Sequence, residues 1–419
     1  MGRMPSTIGL IFVTLVASLL GGPCRGQDPA PEEVYAWKSI DYNWLAPEDR
    51  QIAIDNGNYI PENNALIGVK VWGSYAYVNV ARWLPGVPST LNIVPSFPME
   101  ELPLSTPLSP FPSWEMQKEG NCSAIQYIQG MEIDSRGRMW ALDVGRRYFF
   151  TSNPDNSCPP KLLLLDLDKG GILLHTFVFP EDVVSYDKSF LNDLVVHEGI
   201  GTDWYAYITD AKGTSGAIVV YSLSQDKAWR IEDEKSMKAE EGNASEATIG
   251  GRMAKLTANI DGIALTPKDE DNPQVFYSPL GSFHLYSIPT SVLQNPPSDP
   301  MEIRSSITDW GNRTSQGDGM MMDSFGNLYF GLLGEDGFAK WPAEARTNST
   351  LSEAVVTKDP VRLQWVDGFG FDNAKRELWL VSNRLQNIQA KDVNLKEINY
   401  RLFRIHTATK SYQYNRYSS

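Results

Sequence analysis

The chain has 419 residues, 42% of them hydrophobic, with 12 Trp, 18 Tyr and 16 Phe, and 37 basic against 51 acidic side chains for a formal net charge of −14. That balance excludes nucleic acid as a partner, because phosphate recognition needs basic patches; it suits the steering of a cationic ligand and plain solubility equally. No heptad or long helical periodicity runs through it. The four scattered histidines, His175, His197, His284 and His406, match no zinc spacing, and no nucleophile elbow, phosphate loop or dinucleotide fingerprint occurs.

Residues 1–26 read as a secretory signal. Arg3 supplies a positive start, Ile8 to Leu20 an apolar run too short to span a bilayer comfortably, and Cys24-Arg-Gly26 small residues for cleavage before Gln27. No later apolar run approaches the roughly 20 residues of a membrane span. The expected product is therefore a secreted, extracellular chain, residues 27–419, with 35 basic and 51 acidic side chains and a net charge of −16. In that oxidising setting Cys122 and Cys158 are an even pair expected to bond, a free thiol being the alternative. Asn121, Asn243, Asn312 and Asn348 stand in Asn-X-Ser/Thr triplets and are expected glycan acceptors.

After a polar lead-in from Gln27 to Asn64, one phrase recurs. Its clearest copy is Asp318-Gly-Met-Met-Met-Asp323-Ser-Phe-Gly326-Asn-Leu-Tyr-Phe330, which reads as strand, turn, strand. Met320 and Met322 share a face, Asp323 and Gly326 suit a tight turn, and Leu328-Tyr-Phe330 is the returning strand. Copies lie near residues 67–80, 128–143, 190–209, 260–278, 317–331 and 366–383, anchored on Gly68, Gly130, Asp193, Gly262, Gly319 and Gly368 at steps of 62, 63, 69, 57 and 49. A hairpin repeated at about 50–60 residues fits a four-stranded propeller blade. Six copies predict an all-β, six-bladed β-propeller forming a single domain over 27–419. The Pro-rich stretch from Trp83 to Trp114 reads as a surface crossing without central strands.

The repeat places Asp193, Asp261, Asp318 and Asp367 at one point of the phrase, with Gln129 there in the second copy. Pseudo-symmetry then points them into one end of the central tunnel, with Asn192 and Asn383 at its wall. Converging carboxylates repel, so a cation, a cationic ligand, backbone donors or raised pKa values must offset them. Three readings stand: Asp and Asn cap the inner strands; they line a pocket for a small aromatic amine, with Trp or Tyr against its ring; or they hold Ca²⁺. His197 reads as a turn residue rather than a catalytic one. No metal ligand set and no cofactor is assigned, Ca²⁺ being the one candidate.

Several motifs together resemble the major royal jelly protein/Yellow family: Val80-Ala-Arg82-Trp-Leu-Pro-Gly86-Val-Pro-Ser-Thr-Leu91, Pro112-Ser-Trp114, Arg138-Met-Trp-Ala-Leu-Asp143-Val-Gly145, Cys158-Pro-Pro160, Phe190-Leu-Asn-Asp193 and Leu378-Trp-Leu-Val-Ser-Asn383-Arg-Leu-Gln386. They run in order from about Trp37 to Gln386. The resemblance implies a secreted six-bladed propeller. Its known roles are cuticle pigmentation, dopachrome conversion, amine binding in the saliva of blood-feeding insects, and nutritive secretion. The Asn that matches Asn383 faces the ligand in the amine-binding members, but the aromatic residue often found two positions on is Leu385 here. Insect members commonly carry Cys where this chain has Ser135 and Lys340. Six-bladed lactonases have similar Asp-Gly strands but place a Glu where this chain has Gln129, which counts against a Ca-dependent lactonase. The reading is binding of a small aromatic amine or catechol-type ligand at the tunnel, linked to melanin chemistry. A dopachrome-converting tautomerase and a lactonase-like or ligand-free storage protein are the alternatives. The sequence sets no oligomeric state.

Overall fold

The computed structural model describes residues 1–2, 30–97, 105–199, 203–348 and 350–417, without the side chains of 347 and 348. The expected signal segment, 1–26, lies outside the described residues apart from its first two. Six four-stranded antiparallel sheets follow one another along the chain. Their first strands are Ala65–Trp72, Ile128–Ile133, Leu191–Glu198, Ile260–Leu265, Met320–Met322 and Trp365–Asp372. Each packs against the next and the sixth against the first, closing a ring of six blades around an axis. The protein is a six-bladed β-propeller.

The ring is closed by chain ends far apart in sequence. Blade 6 runs Trp365–Asp372, Glu377–Asn383, Tyr400–His406, and its outer strand is Glu32–Trp37 from the opposite end of the chain. The lead-in therefore holds a blade strand that composition did not reveal. Tyr35 and Trp37 are fully buried there, each worth roughly 1.5–3 kcal/mol in area removed from water, and Arg401 and Arg404 bind Glu33 and Glu32 across the seam. The Pro-rich stretch also differs from expectation. It supplies blade 1 with its third strand, Leu91–Pro95, and its outer strand, Ser109–Pro110. Proline is tolerated because Pro95 ends one strand and Pro110 lies in an edge strand, where no ladder donor is needed.

Two local devices repeat. Asp134, Asp323 and Asp372 each accept two backbone N–H groups of the turn that follows the inner strand. A short carboxylate that bonds its own turn is a strong local signal, which is why these hairpins were readable. The second device is a bulge. Register shifts interrupt the first strand of blades 1, 2, 3, 4 and 6 at Ile67, Gln129, Asn192–Asp193, Asp261–Gly262 and Asp367–Gly368. In blade 5 the matching pair, Asp318–Gly319, stands just before the strand. Bulges re-aim side chains, and here they do so at the axis. Cys122 and Cys158 are bonded, with Cα atoms 5.2 Å apart, tying the entry to blade 2 to the loop before its third strand, Lys161–Asp166.

Candidate functional site

The bulge positions put Gln129, Asn192, Asp261, Asp318 and Asp367 around a cavity of about 140 Å³ at one mouth of the tunnel. Their backbones approach closely because glycine follows in four blades. A Cβ on Gly262 would collide with the Asp318 carbonyl, and one on Gly319 with that of Asp367. Side chains join around the mouth in one direction. Tyr127 donates to Gln129 Oε1, Gln129 Nε2 donates to Asn192 Oδ1 at 2.7 Å, and Asn192 Nδ2 donates to Asp261. Asp261 hydrogen-bonds Asp318, and Trp365 Nε1 donates to Asp318 Oδ2 at 2.7 Å. Asn383 Nδ2 donates to Asp367 Oδ2 at 2.8 Å and to Leu66 O at 3.0 Å.

Asp193 is not part of this ring. It stands one residue on, where blades 2, 4, 5 and 6 have glycine, and the mouth cavity does not include it. At the mouth Asn192 takes the blade 3 place beside Asp261, Asp318 and Asp367, with Asp193 next to it in the same bulge. Asp193 does line a smaller space beneath the mouth, about 40 Å³, together with Asn192, Asp261, Asp318 and Asp367, where Lys70 and Asn79 also reach. There Lys70 Nζ lies 3.1 Å from Glu132 Oε2. The far end is crossed by the C-terminal segment: the buried Tyr412 hydroxyl donates to Val196 O at 3.1 Å and accepts from Val196 N at 2.9 Å.

The predicted repulsion is met by hydrogen-bond donors and by raised pKa values. Burial raises Asp318 to about 6, opposed by hydrogen bonds from Trp365 and Asp261. Burial, then the charges of Asp318 and Asp193, push Asp261 well above the ordinary carboxylate range. Burial, then Asp318, does the same to Asp367. Asp318, raised to about 6, thus stands between two carboxyls that burial and its own charge push upward. In the lower chamber burial raises Asp193 to about 7, with Lys70 opposing and Glu132 adding. Calcium takes several ionised or carbonyl oxygens. Here Asn192 and Trp365 aim N–H groups at Asp261 and Asp318, so those two carboxyls are partnered by donors within the chain.

The cavity walls are aromatic and cationic. Trp83, Phe149, Phe150 and Phe190 line it, with Lys212 and Lys255. Lys212 Nζ lies 5.1 Å from the Phe149 ring centre, and burial, then the Arg146 charge, lowers its pKa. A hairpin inserted between blades 3 and 4, Glu246–Ile249 with Arg252–Lys255, and the short helix Leu385–Gln389 form the other wall. At 140 Å³ the space is below the roughly 300–1,000 Å³ of drug-sized sites and suits a molecule of one or two small rings.

Strand capping, one of the readings of the ring, holds for Asp193, which accepts from Leu194 N at 2.8 Å, and extends to residues outside the ring. Asp143 accepts from Gln126 N and Tyr127 N, and Asp210 from Phe190 N, at 2.8–2.9 Å. Asn383 is buried and holds Asp367 rather than facing the cavity. His197 lies in the strand Leu191–Glu198, not a turn, bonded to Tyr207, and burial lowers it to about 4. Lys70, Glu132 and Lys212 were missed from sequence because none is repeated among the blades; Tyr127 and Trp365 were missed although an aromatic stands two residues before the bulge residue in blades 2, 3 and 6, as Tyr127, Phe190 and Trp365.

A sequence profile of the family described as Major royal jelly protein matches residues 128–413. The chain belongs to the major royal jelly protein family. Major royal jelly protein 9 of Apis mellifera is 28% identical over 385 residues, covering 88% of this chain and 86% of that protein. Dopaminechrome tautomerase of Drosophila melanogaster is 26% identical over 384 residues, 89% of this chain and 81% of its own. Protein yellow of Drosophila erecta is 26% identical over 409 residues, 96% and 73% respectively. The family therefore includes relatives whose names differ widely over one shared architecture. Among the described residues, no helix is long and apolar enough to cross a membrane.

Proposed function

We propose that the mouth of the propeller binds a small catechol-derived aminochrome and tautomerises it. The observation that carries this reading is Asp318, a carboxylate raised to about 6, held by Trp365 and Asp261 against an aromatic wall. A general base works best when its pKa lies near the working pH, and a positioned one is worth roughly 10²–10⁴ in rate. In the proposed step Asp318 takes a proton from an sp³ ring carbon, the C–H electron pair moves into the ring, and the quinone oxygen takes a proton from the Lys212 ammonium. Atoms and electrons balance as an isomerisation, and solvent returns the Asp318 proton to Lys212. The lowered pKa of Lys212 makes it a better acid for that oxygen. The relative named dopaminechrome tautomerase, similar along most of both chains, supports the substrate class.

A second reading, amine binding without turnover, is favoured by the ionised Asp318 beside Phe149, Phe150 and Trp83, which could hold an ammonium and a ring. One experiment separates them. The purified protein is mixed with dopaminechrome while its visible absorbance is followed, and titrated with dopamine by calorimetry. Turnover abolished by Asp318→Asn supports the first reading. Binding heat without turnover supports the second, and neither signal overturns both. The signal-like 1–26 and the exposed Asn121, Asn243 and Asn312 support an extracellular glycoprotein. Expression in insect cells, with glycosidase shifts and N-terminal sequencing of the medium, tests that.

A further inference from the structure

The second and third strands of blade 2, Arg138–Asp143 and Lys161–Asp166, are joined by residues 144–160 at the mouth. Ordinary hairpin loops run 2–5 residues, and much longer ordered loops are usually functional. This one supplies Phe149 and Phe150, both of which line the mouth cavity. Neighbours along an extended chain point to opposite sides, so two consecutive side chains reach one cavity because the backbone turns just before them. The turn is made at Tyr148, with φ +59°. That left-handed conformation is disfavoured for a bulky residue with a Cβ, and it persists only where the surroundings over-determine it.

Glu119 does much of the holding. Its Oε2 accepts from the Tyr148 hydroxyl and, at 2.6 Å, from Arg147 Nη1, while Arg147 Nη2 donates to Asp155 Oδ2 at 2.6 Å. Backbone bonds fasten the same residues: Tyr148 N donates to Arg82 O at 2.7 Å and Phe150 N to Trp83 O at 3.1 Å. Arg147 and Asp155 exchange N–H···O bonds across the loop at 2.9 and 3.0 Å. The Cys122–Cys158 bridge ties the far end of the loop to the segment that carries Glu119. Phe150 is thereby set 5.1 Å from Trp83 and Phe149 4.7 Å from Phe190, centre to centre. Neither Tyr148 nor Glu119 lines the cavity itself. We propose that Tyr148 and Glu119 are positioning residues for ligand selection, holding the loop in its strained turn so that Phe149 and Phe150 form a preformed wall for a planar aromatic ring. This rests on the reading that the mouth takes a ring-bearing ligand, and adds that its affinity depends on a pair that does not touch the ligand. A wall ordered beforehand removes the entropic cost of ordering it on binding.

The test is Tyr148→Phe, which keeps the ring beside Arg147 and deletes only the hydroxyl. Three readouts are compared with the wild type: hydrogen exchange of residues 144–160 in the free protein, calorimetric titration with dopamine, and turnover of dopaminechrome. The expected result is faster exchange in the loop, with the Kd for dopamine and the KM for dopaminechrome each raised roughly tenfold and kcat nearly unchanged. Adding the change to Glu119→Ala should bring little further rise, since the two residues act as one unit. Loop exchange equal in wild type and Tyr148→Phe overturns the proposal and leaves the reading of the mouth standing. So does a loop that loosens while both molecules bind as before, or a kcat that falls with KM unchanged. A wild type that binds neither molecule overturns that reading and the proposal with it.

Discussion

Replacing Trp365 with Phe isolates the contact that keeps Asp318 a usable base. The ring stays aromatic and buried, but the 2.7 Å donor to Asp318 Oδ2 is lost. A hydrogen bond to a charged group is worth roughly 1.5–3 kcal/mol, and at about 1.36 kcal/mol per pKa unit its loss should lift Asp318 by about 1–2 units, from about 6 to about 7–8. The direction follows because the indole stabilises only the ionised form. Stability moves with it. A carboxylate whose folded pKa exceeds its unfolded value, ~3.9, loses stability as pH rises between the two. That loss ends near pH 6 in the wild type and continues to about pH 7–8 in the variant. The gap in melting temperature should therefore be smallest near pH 5 and widen up to pH 8. Carbon-13 NMR of the Asp318 carboxyl, with melting curves at each pH, reads both. An unchanged or lowered Asp318 pKa, or a gap constant with pH, would refute the reasoning.

Three further outcomes follow. Replacing Cys122 and Cys158 with Ser should cost about 3–4 kcal/mol by the chain-entropy estimate for residues 36 apart, read by urea unfolding; no loss would mean the bridge does not constrain the unfolded chain. Gly262→Ala forces a methyl into the Asp318 carbonyl, so about 1–3 kcal/mol of stability should go, and mouth activity should fall with it; an unaffected protein would contradict the close approach at the axis. Asp193→Asn removes a carboxyl whose folded pKa of about 7 lies above the unfolded ~3.9, so the variant should gain stability relative to wild type as pH rises from about 4 to 7, and a flat difference in melting temperature would count against its burial.

The blades were legible because each carries its own local signal: an apolar strand, an Asp that bonds its own turn as at Asp134 and Asp323, and an aromatic returning strand. The closure was not. Glu33 meets Arg401 across 368 positions, and nothing local in the lead-in marks it as a blade 6 strand. Asp193, Asp261, Asp318 and Asp367 line one space with Asn192, as the repeat implied, but at the wider mouth blade 3 contributes Asn192 and not Asp193. Asn192 and Asp193 both sit in the bulge, and an anchor that accepts either Gly or Asp merges these two neighbouring positions. Of the groups that tune the mouth, Lys212 comes from a position that does not repeat, whereas Tyr127 and Trp365 share with Phe190 a place two residues before the bulge, a signal the Asp-or-Gly anchor passed over. Tyr412 closes the tunnel from beyond the last blade strand, where periodicity carries no information.

The most direct measurement is the pH–rate profile for dopaminechrome tautomerisation by the wild type and by Asp318→Asn. The mouth geometry predicts a wild-type kcat/KM that rises on its acid limb with a midpoint near 6, and a variant slower by roughly 10²–10⁴ with that limb gone. A wild type no faster than buffer, or an acid limb that survives in Asp318→Asn, would contradict the assignment of Asp318 as the base.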